Sequence, residues 1–78
     1  MTRRLAAPRQ ARVRSSSGIP VSLDAEPVEA VREEWVVEDR WWTGRPLRRR
    51  YFELVLARGR NAVVFLDLTG GGWFEQRG

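Results

Sequence analysis

The chain has 78 residues and a net charge of +4, with 14 arginines and no lysine, histidine or cysteine. That length holds one small domain. The missing residue types exclude disulfides, thiolate metal sites, Schiff-base lysines and the imidazole that most often serves as general base or metal ligand.

Residues 1–17 read as a disordered basic tail, rich in Arg, Ala and Ser, with Pro8 and no sustained period. As a functional element it would be an arm for nucleic acid or an acidic partner. As a plain terminus it is a solvated extension, the commoner meaning. Residues 18–78 read as a single small β domain. Ile19–Leu23 suits a short edge strand, because Pro20 cannot donate to a ladder and is tolerated at an edge. Asp24-Ala25-Glu26-Pro27 is a turn signal. Residues 28–34 leave helix and strand both open. Val28, Val31 and Trp35 fall on a helical stripe, whereas Trp35, Val37 and Trp41 alternate as in a strand. Aromatic and β-branched content favours strand from about Trp35 onward.

A Thr-Gly-Arg-Pro turn at 43–46 precedes a clear strand over residues 48–57. Arg58-Gly59-Arg60-Asn61 is a hairpin signal, with Gly59 free to take positive φ. A strand over 62–68, a Gly-rich turn at 69–72 and a last short strand over 73–77 follow. The predicted fold is mainly β: a small antiparallel meander, curled into an SH3-like sheet or partial barrel.

Symmetric closure of the first turn sets residue 39 opposite 50, 37 opposite 52 and 35 opposite 54. The second turn then sets 54 opposite 65 and 52 opposite 67. One face collects Trp35, Val37, Phe52, Leu54, Leu56, Val63 and Phe65 as the expected core. At its end Asp39, Arg50 and Asp67 form an expected structural ion pair, with the guanidinium between two carboxylates. The other face carries Tyr51, Val55, Val64, Leu66 and Leu68. A sheet apolar on both sides must curl, be covered by residues 19–34, or pair with another molecule.

Charge is unevenly spread: +5 over residues 1–20, −6 over 21–39, +6 over 40–60 and −1 over 61–78. The basic block holds the candidate recognition surface, Arg40, Trp41, Trp42, Arg45, Arg48 and Arg49, with Trp73 added from the last strand. Guanidinium groups would neutralise phosphates and indoles would stack bases, so single-stranded DNA is one expected partner. The same indoles could instead clamp the hairpin end under the arginines.

Enzymatic signals are weak. Gly70–Gly72 has no strand–loop–helix setting and no following Lys or Ser/Thr, so it is a turn and not a phosphate loop. Ser15, Ser16 and Ser17 have no base to activate them. Glu33, Glu34, Glu38 and Asp39 read as a solvated acidic face in preference to a cation site. No enzyme, metal or cofactor is expected. No apolar run is long enough for a membrane helix and no secretory signal is recognisable, so the expectation is a cytoplasmic protein without membrane contact.

The C-terminal half resembles a small bacterial domain of unknown function. Its members read approximately W-x-x-x-D-x-W-W, then R-x-Y-F/Y-x-V-x-L-x-x-G, then D-L-x-x-G-x-W-F/Y-x-Q. Here the matching residues are Trp35, Asp39, Trp41 and Trp42; then Arg49 or Arg50, Tyr51, Phe52, Leu56 and Gly59; then Asp67, Leu68, Trp73, Phe74 and Gln76. The match covers roughly residues 27–77. Such domains are found in or beside the Y-family polymerase-like subunit of a bacterial translesion-synthesis system. The resemblance implies an accessory role in DNA repair, with a repair protein as partner and no known activity. The expected function is thus a non-enzymatic accessory or interaction module that recognises its target through the Arg/Trp hairpin tip. The alternative is a protein–protein adaptor or homo-oligomerisation domain without nucleic-acid contact.

Overall fold

Short alternating segments separated by turn residues can only satisfy their backbone groups by pairing with one another. The computed structural model describes residues 8–39 and 47–76. Among them it forms seven strands and no helix: β1 (Arg9–Gln10), β2 (Val13–Ser16), β3 (Ile19–Leu23), β4 (Glu26–Asp39), β5 (Leu47–Leu56), β6 (Asn61–Asp67) and β7 (Trp73–Gln76). All pairings are antiparallel, in the order β1-β7-β6-β5-β4-β3-β2. The two ends of that order, β1 and β2, are separated in the chain only by Ala11 and Arg12. The sheet therefore curls back on itself as a half-barrel, which confirms the predicted mainly β, curled antiparallel architecture.

One expectation needs correction. Residues 9–16 are not a tail: they supply β1 and β2, which pair with β7 and β3. β3 lies between β2 and β4 in the sheet order, but β4 pairs with it only at Ser22 and Leu23. Residues 19–21 therefore have a described partner on one side alone, and Pro20 sits at such an edge as expected.

Residues 28–34 are strand. β4 contains two bulges, one between Val28 and Ala30 and one between Val31 and Glu33. Each adds a residue, so Val28, Val31 and Glu34 face Leu56, Leu54 and Phe52 at intervals of three. A strand with two bulges thus imitates a helical period.

Register also differs. Leu56 N–H donates to Arg60 O at 2.9 Å and Gly59 N–H to Leu56 O at 2.8 Å, closing a three-residue loop with Gly59 at φ 91°. Tyr51 consequently faces Phe65, Phe52 faces Val64 and Leu54 faces Ala62. In the first hairpin the described ladder ends at Asp39 opposite Leu47, so Trp35 faces Tyr51 and Val37 faces Arg49. Both ladders are three residues from symmetric closure. An odd slip exchanges the two faces of a strand.

The inner face accordingly holds Leu23, Phe52, Leu54, Leu56, Ala62 and Val64, with Ala11, Val13, Val28 and Trp73 packed against them. Trp35, Val37 and Val63, expected in the core, lie on the outer face instead; Phe65 is buried as expected, but on that same outer face.

The tight turn between β3 and β4 carries a conformational cost. Asp24 and Ala25 both have positive φ, 49° and 73°. Asp24 tolerates this: its carboxylate accepts from Arg12 N–H at 3.0 Å and pairs with Arg9, which together hold its pKa below the ordinary carboxylate value. Ala25 has no such compensation, and a β-carbon is disfavoured in the left-handed region. Ala25→Gly is expected to stabilise the fold by ~0.5–1 kcal/mol, raising the thermal midpoint by ~3–6 °C. Differential scanning fluorimetry checks it, and a lowered midpoint would show that the methyl group contributes packing.

Candidate interaction surface on the outer face

Alternation along β4 to β7 brings one aromatic from each strand into a single cross-strand row: Trp35, Tyr51, Phe65 and Phe74. Trp35 and Tyr51 are stacked, with centroids 5.3 Å apart and planes 5° from parallel. Tyr51 and Phe65 are 5.0 Å apart and tilted by 41°, and Phe65 and Phe74 are 5.2 Å apart at 19°. Phe65 is only 2% exposed although it lies outside the curl, because the Arg49 guanidinium covers it 4.4 Å from the ring centroid. Arg49 also donates to the Tyr51 hydroxyl at 3.3 Å. Trp35, at the β4 end of the row, is 38% exposed.

Rows of opposite character flank the aromatics. On one side Val37, Arg49 and Asp67 follow one another across the strands. On the other Glu33 faces Glu53 directly, with Val63 and Gln76 beyond. Like charges opposite each other destabilise a sheet, and neither Glu33 nor Glu53 forms an ion pair among the described residues.

Of the expected ion pair Asp39–Arg50–Asp67, Arg50 and Asp67 do not meet. Arg50 lies on the inner face opposite Val36 and Leu66 and pairs with Glu34. Asp67 lies on the outer face, where its Oδ1 accepts from Thr69 and Gly70 N–H, each at 2.9 Å. Those amides, then Arg49, hold its pKa below the ordinary carboxylate value. Asp67 is thus the anchor of the glycine turn, and the odd register slip is what separates it from Arg50.

Nor are all the expected recognition residues on one surface. Arg40, Trp41, Trp42 and Arg45 lie outside the described residues. Arg48 and Arg49 point to opposite faces, Arg48 paired with Glu38 at 2.7 Å and Arg49 laid over Phe65. Trp73 faces inward, 5.7 Å from the Phe52 ring, and belongs to the core margin. The surface that sequence reasoning missed is the aromatic row. Its signal was present in Tyr51, Phe65 and Phe74, and only the register concealed it. Two shallow, open clefts also occur among the described residues, one lined by Arg12, Arg14, Val21, Ser22, Ala25 and Pro27 and a smaller one between the 24–27 turn, Ala57 and Arg58.

Comparison with protein-family models, with characterised proteins and with solved structures finds no match to this chain.

Proposed function

We propose that this chain is a non-enzymatic interaction module that takes a protein partner on the outer face of its half-barrel, at the β4 end of the aromatic row. The observation that carries the reading is that row. A half-barrel needs one apolar face for its core, and Trp35, Tyr51, Phe65 and Phe74 lie on the other. Aromatic residues backed by arginine are typical anchors of protein interfaces.

On this sheet protein is favoured over nucleic acid by the state of the β5 arginines. Arg48 and Arg50 are engaged by Glu38 and Glu34, and Arg49 covers Phe65. The rings also stack on one another, leaving mainly the outer face of Trp35 for a ligand. The resemblance over residues 27–77 directs the search for a partner to translesion-synthesis proteins. The test is titration of the isotope-labelled chain with basic, acidic and neutral extended peptides, and with a short single-stranded DNA at two salt concentrations. Peptide-induced shifts at Trp35 and Tyr51 are the expected result. Salt-dependent binding of DNA alone, with shifts confined to residues 40–48, would replace this reading with a nucleic-acid one.

A further inference from the structure

We propose that the open edge of β4 at residues 33–38 takes an extended, arginine-bearing segment of a partner protein by strand addition. One guanidinium of that segment lies over Trp35, beside the carboxylates of Glu33 and Glu53. The inference rests on the interaction-module reading and specifies the partner's chemistry.

The edge comes first. β3 pairs with β4 only at Glu26 and Pro27, so on the side away from β5 no described strand accompanies residues 28–39. Residues 29–38 are exposed throughout. Along such an edge alternate residues turn N–H and C=O groups outward, a template for another strand. The two bulges protect only the first part, up to Glu33. Beyond them the strand pairs regularly with β5, so six successive residues present a regular edge.

Side chains on that edge select the occupant. β4 carries Glu26, Glu29, Glu33, Glu34, Glu38 and Asp39 against the single cation Arg32; Glu26, Glu34 and Glu38 are paired with Arg60, Arg50 and Arg48, while Glu29 and Glu33 form no ion pair among the described residues. Pairing β4 with β4 of a second copy sets this acidic strand against itself, whereas a basic strand complements it. One face of the Trp35 ring is covered by Tyr51. Because the row runs straight across the strands, the next cross-strand position beyond Trp35 belongs to whatever strand joins this edge. A guanidinium there stacks on the free indole face. It also lies one row from Glu33 and Glu53, which face each other directly and form no ion pair among the described residues. The partner's alternate residues fall beside Val36, which is 53% exposed and favours an apolar neighbour. The recognised pattern is therefore alternating arginine and aliphatic residues.

The experiment titrates the isotope-labelled full chain with a blocked peptide of seven alternating arginines and valines. Expected are amide shifts concentrated in residues 33–38 and a shift of the Trp35 indole. Methylating every peptide backbone nitrogen keeps the charge but removes the peptide's N–H donors and places methyl groups against the edge, and should weaken binding at least tenfold. Replacing the arginines by glutamates should abolish it. Glu33→Gln with Glu53→Gln should weaken binding at least fivefold while leaving the thermal midpoint equal or higher, since it removes a repulsion. Equal binding of the methylated peptide would overturn strand addition while leaving the interaction module standing. Binding only of acidic or neutral peptides would overturn the arginine assignment alone. A dimer sealed through residues 33–38 that the peptide does not disperse would make a second copy the occupant. Absence of binding by any peptide, with the chain monomeric at micromolar concentration, would remove both this inference and the reading beneath it.

Discussion

A chain starting at Ser17 is expected to lose its cooperative unfolding transition. Residues 8–16 look dispensable in the sequence, but β1 pairs with β7 and β2 with β3, so their loss opens the sheet at both ends of its order. Ala11 and Val13 leave the core margin with them. The electrostatic consequence is larger. Glu75 is 6% exposed, and its carboxylate accepts from Arg9 at 2.6 Å, while Arg9 also pairs with Asp24. Removing one partner of a buried pair costs ~3–5 kcal/mol. Arg60 remains 3.5 Å from Glu75 and Arg9 is a third exposed, so ~2 kcal/mol is a fairer share. The apolar loss adds ~1–2 kcal/mol. A domain of this size has only ~4–8 kcal/mol to lose, and an opened sheet also gains aggregation-prone edges. Circular dichroism melts of the full chain and of residues 17–78 decide it. A cooperative transition in the shorter chain within a few degrees of the full one would mean that residues 8–16 are the tail their composition suggests.

What the sequence made legible follows from the range of the signal. Strand content and turns are local: β-branched and aromatic runs, Gly59 and the Gly70–Gly72 cluster each state their conformation within a few residues. The curl was legible too, since a sheet apolar on both faces has few other outcomes. Register is not local. It depends on whether a loop closes at Leu56 and Arg60 or at Arg58 and Asn61, and on two bulges in β4 that carry no distinctive residue. That single ambiguity sent Trp35 and Phe65 to the wrong face and set Arg50 against Asp67. β1 and β2 were missed for a different reason. β1 takes its strand character from a partner 66 residues away, as in Arg9 with Glu75; β2 pairs with the adjacent β3, but an arginine-rich segment without periodicity announces neither.

Phe52→Ala is expected to unfold the chain or bring it close, whereas Trp35→Ala should leave it folded. The contrast tests the face assignment on which both functional readings depend. Phe52 is fully buried, faces Val64 and Glu34 across its two ladders, and lies 5.7 Å from the Trp73 ring. Truncating a buried phenylalanine costs ~3–5 kcal/mol, the greater part of what a domain of this length possesses. Trp35 is the larger side chain, but it is on the outer face, more than a third exposed, and its main loss is the stack on Tyr51. Such a stack contributes ~0.5–1.5 kcal/mol beyond area burial. Were Trp35 opposite Leu54 in the core, as symmetric hairpin closure requires, the two substitutions would be comparably severe. Urea midpoints of both variants therefore distinguish the registers without further structure determination. A folded Trp35→Ala chain that no longer binds a peptide its parent binds would also separate the two duties of the sheet. The inner face holds the half-barrel together. The outer row, ending at the exposed indole on the open edge of β4, is left to recognise another strand.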